Sequence, residues 1–432
     1  MDNIIIRGGT PLSGTIEASG AKNAALPLLA ASILADGPIV YHRIPHLKDI
    51  TTMMTLIAYQ GAEVTFDDQA RIHIDTTCAT KPEAPYELVK TMRASALVLG
   101  PLLARFGEAR VSLPGGCAIG ARPIDMHLKG LEAMGAKIKV EHGYVEAHAP
   151  DGLKGAPIIF DQVTVTGTEN LMMAAVLARG ETVLENAARE PEVVNLADSL
   201  RQLGAEIEGA GTNRITVRGV DSISGGHMTA IPDRIEVATY LAAALVTQGD
   251  VTVTMAEASA LEAFLARVRE TGASVETGDG WIRCRAENRL KSVNVSTMPH
   301  PGFPTDLQAQ FMAMMAIADG TCTISETIFE NRFMHVQELV RMGANIQLDG
   351  HIAIVKGVPK LSGAPVMATD LRASASLVLA GLAAEGETVI SRVYHIDRGY
   401  ERIEEKLMKL GADIKRQSAS ENSLTGAVPL YA

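Results

Sequence analysis

Six copies of a repeating pattern occur in the sequence, at intervals of about 70 residues. Each copy contains a phrase such as LIAYQGAEV or LRQLGAEI, in which a helical segment ends at a glycine and a β-rich segment follows. An Ala/Leu/Met-rich segment that also ends in a glycine precedes each phrase. The glycines of the first kind are Gly61, Gly135, Gly204, Gly272, Gly343 and Gly411, and those of the second kind are Gly37, Gly107, Gly180, Gly249, Gly320 and Gly386. The pattern predicts small α/β units that run strand, helix, strand, helix, strand.

The ends of the chain predict how the repeats close. Five of the six strands that follow a Gly-Ala pair have a second strand-like segment soon after, such as RITVRG or IAIVKG, which is typical of hairpins. The last one, GADIKR, has no such partner downstream, and the first strand of the chain, NIIIRGG, has none upstream. We therefore expect the two to pair with each other, which places the N-terminal strand in the C-terminal domain.

The Ala/Leu/Met-rich segments carry few charges, which is typical of helices that are buried on all sides. Residues 24–35, AALPLLAASILA, are predicted to form such a helix and not a signal peptide, because they lie far from Met1 and follow the strand-like IIIRG. Six buried helices predict two bundles of three, each covered by sheets.

The join between the two halves is expected after three repeats. Residues 217–233 are rich in turn-forming residues and predict the crossing between the halves. We therefore expect residues 21–229 to form the first domain, and residues 1–20 together with 230–432 to form the second. Two chain crossings suit a hinge that closes over a cleft.

Composition narrows the function classes. The chain has 432 residues, is 47% hydrophobic and has a formal net charge of −11, which argues against nucleic acid as its main partner. No apolar run is long enough to span a membrane. The four cysteines are widely spaced without a CxxC pair, so we expect no zinc site, no disulfide framework and a cytoplasmic location. No GxGxxG pattern follows a strand, and we expect no cofactor.

Charged and polar residues gather at the starts of the predicted buried helices. They are Lys22, Asn23, Arg93, Glu169, Asn170, Asp233, Glu236, Asp306, Asp370 and Arg372. For Asp306 and Asp370 two interpretations stay open, since an aspartate before a helix is also a common N-cap. A cation at a helix N-terminus opposes the helix dipole, and a bound anion would remove that conflict. The pattern therefore indicates that these helix starts face an anion-binding cleft.

One repeat carries an insertion, LPGGCAIGARP at residues 113–123. An insertion in one copy of a repeat often forms a functional loop on one face. Cys117 within it is either an inert small side chain or a reactive thiol. The surrounding glycines and nearby Arg122 favour the reactive thiol, and no histidine stands beside it to suggest a protease pair.

Several motifs together resemble those of the UDP-N-acetylglucosamine 1-carboxyvinyltransferase family of enolpyruvyl transferases. They are SGAKNAALP (19–27), GGCAIGARP (115–123), FPTDLQAQ (303–310), ENRFMHV (330–336), TDLRAS (369–374) and DRGYERIEEKL (397–407). The resemblance runs from end to end. It implies two pseudo-threefold domains of three βαβαββ units each, an inside-out α/β barrel of the enolpyruvyl transferase type.

The resemblance also implies a reaction. Enolpyruvate would pass from phosphoenolpyruvate to the 3-hydroxyl of UDP-N-acetylglucosamine by addition and elimination, with release of phosphate. This is the first committed step of bacterial peptidoglycan synthesis, which links the chain to cell-wall biogenesis, cell shape, the cell cycle and cell division. A cysteine in the loop further implies sensitivity to the covalent inhibitor fosfomycin.

Roles for individual residues follow from the same resemblance. The implied catalytic residues are Cys117, as general acid that can also carry a covalent phosphoenolpyruvate adduct, Asp306, as acceptor of the sugar hydroxyl proton, Lys22 and Arg398. The implied substrate-binding residues are Lys22, Asn23, Arg93, Arg122, Pro123, Ile124, Asp125, Met126, Val163, Thr164, Val165, Asp306, Ile328, Arg332, Asp370, Arg372 and Arg398. Pro123–Met126 and Val163–Val165 belong to the uridine side, and no metal is implied.

Three other functions were weighed. The shikimate-pathway enolpyruvyl transferase shares the fold and phosphoenolpyruvate, but PGGCAIGARP and PTDLQAQ favour the enzyme that uses the UDP-sugar. A binding protein without turnover is disfavoured by the presence of Cys117, Asp306, Arg398 and Lys22. A repeat scaffold for protein partners is disfavoured because the charged residues gather at helix starts and do not border an apolar patch.

Overall fold

The computed structural model describes residues 2–69, 71–90, 92–113, 124–329 and 331–418, and of Arg93 only the backbone. The α-helices in this part of the chain are α1 Lys22–Ala31, α2 Lys48–Tyr59, α3 Tyr86–Val89, α4 Leu99–Phe106, α5 Asp125–Ala133, α6 Val165–Val176, α7 Pro191–Gln202, α8 Arg234–Val246, α9 Glu262–Glu270, α10 Gln308–Ala316, α11 Val336–Arg341, α12 Ala373–Ala383 and α13 Ile403–Lys409. Short 3-10 helices are Ser32–Leu34, Arg93–Val98, Ala258–Leu261, Thr305–Leu307 and Val393–Arg398.

The strands of the same residues are β1 Asn3–Arg7, β2 Ser13–Glu17, β3 Ala35–His42, β4 Glu63–Phe66, β5 Ile72–Asp75, β6 Glu83–Ala84, β7 Glu108–Ser112, β8 Lys137–Glu141, β9 Tyr144–His148, β10 Pro157–Ile159, β11 Glu181–Glu185, β12 Glu206–Glu208, β13 Arg214–Arg218, β14 Ile223–Thr229, β15 Asp250–Thr254, β16 Ser274–Gly278, β17 Trp281–Arg285, β18 Val295–Ser296, β19 Thr321–Ser325, β20 Asn345–Asp349, β21 Ile352–Lys356, β22 Pro365–Met367, β23 Glu387–Ser391 and β24 Asp413–Gln417.

Each repeat builds one four-stranded sheet. In the sheet β10-β11-β13-β12, the first pair is parallel, and the crossover between its two strands contains α6. The next two pairs are antiparallel, and α7 connects β11 to β12. The other sheets among the described residues repeat this order: β14-β3-β5-β4, β6-β7-β9-β8, β2-β15-β17-β16, β18-β19-β21-β20 and β22-β23-β1-β24. The α/β units expected from the repeat are confirmed. Three of them run βαβαββ along the chain, and in the other three one strand, β14, β2 or β1, comes from elsewhere in the sequence.

The first strand of the chain completes the last sheet. β1 lies between β23 and β24 and is antiparallel to both, with Ile4 opposite Ile390 on one side and Arg416 on the other. The predicted pairing of the N-terminal and C-terminal strands is therefore confirmed. β2 joins another C-terminal repeat, because it is parallel to β15, with Thr15 opposite Thr252.

The boundary between the two compact units lies within residues 217–233, between Pro232 and Asp233, but the turn-rich character predicted for the segment was wrong. Most of the segment forms β13 and β14, and β14 runs parallel to β3 and completes the first repeat. The Gly-Gly pair that suggested a turn has another cause. A Cβ on Gly225 would lie 2.4 Å from the Pro38 carbonyl oxygen, so glycine is required there by the close approach of two strands.

The helix-ending glycines have the expected conformation. All six glycines of the first kind have φ between 89° and 111°, the left-handed region that terminates helices. Gly249 differs from the other glycines of the second kind, because the left-handed residue of that turn is the preceding Gln248, with φ of 52°.

The described residues form two compact units, each with its own core. One contains the residues between Ser19 and Pro232, and the other contains those up to Ala18 and from Asp233 onward. In the first unit α1, α4 and α6 supply buried apolar residues, and in the second α8, α10 and α12 do so, which confirms two groups of three buried helices. Within the described ranges no helix is both long and apolar enough to cross a membrane, and no three His, Cys, Asp or Glu side chains are placed to hold a metal ion.

Candidate active site

The predicted site residues lie at the starts of the buried helices in both units. Lys22 is the first residue of α1, and Arg93 begins the 3-10 helix that leads into α4. Asp306 lies in the 3-10 turn Thr305–Leu307 ahead of α10, and the backbone of Pro304 before that turn is extended. Arg372 is the N-cap residue of α12. The repeat thus delivers polar residues to equivalent places along the chain.

Asp306 is held by two arginines. Its Oδ1 accepts a hydrogen bond of 2.7 Å from Arg332 Nη2, and its Oδ2 lies 3.7 Å from Arg372 Nε. Of the two interpretations open for Asp306, the structure therefore supports a carboxylate oriented by cations.

A further carboxylate extends this group. Arg332 Nη1 donates to Thr305 Oγ1 at 3.0 Å, and Thr305 Oγ1 donates to Glu326 Oε2 at 2.8 Å. Glu326 is buried and is absent from the residues that the sequence singled out. The only sequence signal was its position directly after β19, where it ends a buried strand.

Arg372 is almost completely buried, with a side-chain exposure of 2%. Burial opposes its charge, but Asp233, Tyr400 and Asp306 together raise the pKa of the guanidinium above its ordinary value. Its Nη2 lies 3.2 Å from Asp233 Oδ2, while Asp233 Oδ1 caps α8 by accepting from the backbone N–H groups of residues 235 and 236. Arg372 therefore ties the start of α12 to the start of α8.

Arg372 also supports the segment that contains Arg398. Its Nη1 donates to the Gly399 carbonyl at 3.1 Å, and its guanidinium lies 5.3 Å from the centre of the Tyr400 ring. Arg398 is the last residue of the 3-10 helix Val393–Arg398 and is partly exposed. Burial and then Arg398 lower the pKa of nearby His395, against the opposing effect of Asp370.

Asp370 is a helix cap. Its Oδ1 accepts from the N–H groups of Arg372 at 2.7 Å and Ala373 at 2.9 Å, at the first turn of α12. Its charge also acts on Arg332, where burial opposes ionisation but Asp306 and Asp370 raise the pKa. For Asp370 the capping interpretation is therefore supported by direct bonds, alongside an electrostatic link to the Asp306 group.

Ile328 has its amide engaged within the second unit. Its N–H donates to Glu326 Oε1 at 2.8 Å. If the backbone of Ile328 contacts a ligand, the contacting atom is therefore its carbonyl oxygen.

In the first unit Lys22 is paired with a residue that the sequence did not single out. Lys22 Nζ lies 3.4 Å from Asp49 Oδ2, and both side chains are less than 10% exposed. Asp49 lies in the first turn of α2, where an acidic residue suits the helix dipole. Asn23, next to Lys22, is partly exposed.

The residues expected on the uridine side form two helix starts in the first unit. Thr164 is the N-cap of α6, and its Oγ1 accepts from the Gly167 N–H at 3.2 Å. Val163 before it is exposed, and Val165 is the first residue of the helix. Ile124 precedes α5, which begins with Asp125 and Met126. The structure brings the two starts together through His127 of α5, whose Nε2 is 3.4 Å from Thr166 Oγ1 in α6.

Glu169 is a buried carboxyl one turn into α6. It is 1% exposed, and its Oε1 has no hydrogen-bond partner among the described residues. Burial first, and then the charges of Glu192 and Glu190, raise its pKa well above the ordinary value. The shift favours the neutral, protonated form of the carboxyl.

Three predicted residues, Cys117, Arg122 and Pro123, lie outside the described residues, as does the side chain of Arg93. Of the other cysteines, Cys78 is exposed, whereas Cys284 and Cys322 are buried. Burial raises the pKa of the Cys284 thiol to about 12 and that of Cys322 to about 11.

Together, the six repeated α/β units and the cations at their helix starts fit the enolpyruvyl transferases that the sequence motifs resemble. The family model of EPSP synthase (3-phosphoshikimate 1-carboxyvinyltransferase) matches residues 6–407, and the chain belongs to this family of 1-carboxyvinyltransferases. It is 60% identical over 417 residues to the UDP-N-acetylglucosamine 1-carboxyvinyltransferase of Magnetococcus marinus, covering 96% of this chain and 99% of that protein.

Solved structures show the same fold. The enolpyruvyl transferase NikO from Streptomyces tendae matches with a TM-score of 0.87 and 26% identity, covering 97% of this chain and 99% of that one. EPSP synthase from Acinetobacter baumannii matches with a TM-score of 0.76 and 18% identity, covering 97% and 100% of the two chains. At 18% identity the second likeness concerns the fold alone.

Proposed function

We propose that this chain transfers enolpyruvate from phosphoenolpyruvate to the 3-hydroxyl of UDP-N-acetylglucosamine and releases phosphate. The observation that carries the proposal is the 60% identity, over nearly the whole length of both chains, to a protein with that activity in its name. The shikimate-pathway reaction is the weaker candidate, because the solved EPSP synthase shares only 18% identity with this chain.

The proposed chemistry begins with addition. The sugar 3-hydroxyl oxygen bonds to C2 of phosphoenolpyruvate, its proton passes to Asp306, and the methylene carbon takes a proton from the Cys117 thiol. In the elimination that follows, the bond from C2 to the phosphate oxygen breaks, the new methyl group returns a proton to the Cys117 thiolate, and the proton held by Asp306 leaves with the phosphate. Proton transfers and charges balance without a cofactor.

The Asp306 group supports its proposed role. A carboxylate that takes a proton in a transition state has to be held in one orientation, because small displacements cost large factors in rate. Arg332 and Arg372 hold both oxygens of Asp306 from two directions.

Cations suit the other substrate. Phosphoenolpyruvate carries a phosphate and a carboxylate, and we assign Lys22, Arg122 and Arg398 to hold it, with Asn23 and Arg93 beside them. Asp370, Arg372 and Arg332 support the reacting groups, and Ile124–Met126, Val163–Val165 and Ile328 take the nucleotide. In cells the reaction would serve peptidoglycan synthesis in the cytoplasm.

Phosphate release tests the proposal directly. The purified chain is mixed with phosphoenolpyruvate and either UDP-N-acetylglucosamine or shikimate 3-phosphate, and inorganic phosphate is measured over time. We expect release with the UDP-sugar only. Release with shikimate 3-phosphate only would contradict the proposal and favour the other member of the family.

Thiol labelling tests the role of Cys117. In a Cys78→Ser background the remaining thiols besides Cys117 are Cys284 and Cys322, which burial protects because a thiol reacts as thiolate. Intact mass should show one fosfomycin adduct with concurrent loss of turnover, and no adduct in Cys78→Ser/Cys117→Ser. An adduct that persists in the double variant would contradict the assignment.

A further inference from the structure

A chain of hydrogen bonds crosses the first unit, and we call it the His127 relay. It consists of Gly100, Asn170, His127 and Thr166. Gly100 N–H donates to Asn170 Oδ1 at 2.8 Å, Asn170 Nδ2 lies 3.1 Å from His127 Nδ1, and His127 Nε2 lies 3.4 Å from Thr166 Oγ1. The relay joins three helices, α4, α5 and α6.

The direction of each bond is fixed by chemistry. A backbone N–H only donates, so the Asn170 atom facing Gly100 is the amide oxygen, and the amide nitrogen faces His127. That nitrogen also only donates, so His127 Nδ1 is an acceptor and carries no proton. The neutral ring therefore has its proton on Nε2, which donates to Thr166 Oγ1.

Burial supports a neutral ring. His127 is 3% exposed and Asn170 is fully buried. Burial lowers the pKa of His127 to about 4, against a smaller opposing effect of Asp125. An imidazolium would also place a proton on Nδ1, facing the two protons of the Asn170 amide nitrogen.

The end of the relay is exposed. Thr166 lies in the first turn of α6, directly after Val165, and is exposed to solvent. Because Oγ1 accepts from His127, the hydroxyl proton of Thr166 is left to donate elsewhere. Thr164 Oγ1 already takes the Gly167 N–H, whereas N–H groups of the first turn still have no acceptor within the helix.

We propose that His127 and Asn170 are positioning residues that orient the Thr166 hydroxyl as a donor to the diphosphate of the UDP-sugar. The inference rests on the proposed function, in which Val163–Val165 and Ile124–Met126 take the nucleotide. The relay joins these two segments, since His127 follows Met126 and Thr166 follows Val165. The first turn of a helix also favours an anion.

Nitrogen NMR tests the relay without any substrate. The chain has 11 histidines, and the His127 ring signals are assigned as those missing from ¹⁵N-histidine-labelled His127→Gln. At pH 7 we expect the ¹⁵N shifts of a neutral ring protonated on Nε2. A ring protonated on Nδ1, or a charged ring, would overturn the relay and leave the proposed function untouched.

Kinetics test the task of Thr166. Thr166→Val removes the hydroxyl from an exposed site, and we expect the KM for UDP-N-acetylglucosamine to rise about 5- to 10-fold, the effect of one lost hydrogen bond. The KM for phosphoenolpyruvate and kcat should change less than about twofold, because a contact that is equally strong in the ground state and the transition state affects only the binding of its own substrate. The control is Thr55→Val in α2, whose hydroxyl is exposed and donates to the Thr51 carbonyl.

A double-mutant cycle separates positioning from packing. If His127 acts through Thr166, His127→Gln raises the same KM in the wild-type background and has little effect in the Thr166→Val background. Additive effects, or an unchanged KM in Thr166→Val, would overturn the inference. If His127→Gln does not fold, the KM of Thr166→Val still tests whether the Thr166 hydroxyl binds the UDP-sugar. If the wild-type enzyme is inactive with the UDP-sugar, that result contradicts the proposed function and not the relay.

Discussion

Asp306 Oδ1 accepts a 2.7 Å hydrogen bond from Arg332 Nη2, and the guanidinium of Arg332 is buried. The Asp306 carboxylate is thus presented in one orientation by a side chain that cannot easily move. An amide in its place keeps the size of the group but accepts no proton.

We therefore expect Asp306→Asn to lower kcat by about 10²- to 10⁴-fold, the usual contribution of a positioned acid or base. Steady-state phosphate release at saturating substrates measures the loss. The control is Asp319→Asn, an exposed carboxylate just beyond the other end of α10, which should keep wild-type turnover. A fall of less than about tenfold for Asp306→Asn would argue against its role as proton acceptor.

Asp49→Asn should destabilise the protein through Lys22. Both side chains are buried, so loss of the carboxylate leaves the ammonium with one compensating charge fewer, at a cost on the order of 3 kcal/mol. Urea unfolding of Asp49→Asn, Lys22→Gln and the double variant measures the coupling. We expect the double variant to be more stable than the sum of the single effects predicts; strict additivity would show that the pair does not interact.

Asp370 gives a test of capping. Asp370→Ala should lower the free energy of unfolding by about 1 kcal/mol, whereas Asp370→Asn should lower it far less, because asparagine caps as well as aspartate. Both are followed by urea denaturation monitored by circular dichroism. Equal losses in the two variants would mean that the charge of Asp370, and not its bonds to the α12 amides, stabilises the fold.

Glu169 predicts a pH-dependent stability. The folded pKa of Glu169 is raised above the ordinary value of 4.5, so its contribution to stability is fully present below that value and is lost as the pH rises toward the folded pKa. Glu169→Gln mimics the neutral acid and avoids the loss. We expect equal urea midpoints near pH 4 and a higher midpoint for Glu169→Gln at pH 8, with exposed Glu132→Gln as control; equal midpoints at pH 8 would contradict the raised pKa.

Periodicity made much of the fold predictable. The glycines of the first kind located the ends of six helices, α2, α5, α7, α9, α11 and α13. The unpaired GADIKR segment was enough to predict the β1–β24 pairing, since a strand with an apolar face needs a neighbour. The same reasoning failed for β14, because Gly225 looks like a turn residue in sequence. In the structure it is a contact residue whose missing side chain lets Pro38 approach.

The sequence predicted individual residues of the site but not the contacts between them. Sequence alone left the same two interpretations for Asp306 and Asp370. The difference depends on the partner, which is Arg332, 26 positions away, for Asp306 and the nearby amides of residues 372 and 373 for Asp370. Asp49 and the relay through Asn170 have no local signature, because Asn170 and His127 are 43 positions apart. Such contacts follow from how the repeats pack, which periodicity does not specify.

The placement of β2 beside β15 also imposes an order on biosynthesis. β2 ends at Glu17 and its partner β15 begins at Asp250. At typical translation rates, roughly 10 to 50 s pass between the synthesis of β2 and that of β15. All strands of the 19–232 unit emerge during that interval. The nascent chain therefore carries two unpaired strands, with the apolar side chains of Ile4, Ile6 and Ile16, while its first unit folds, and these strands are where chaperone capture or aggregation would begin.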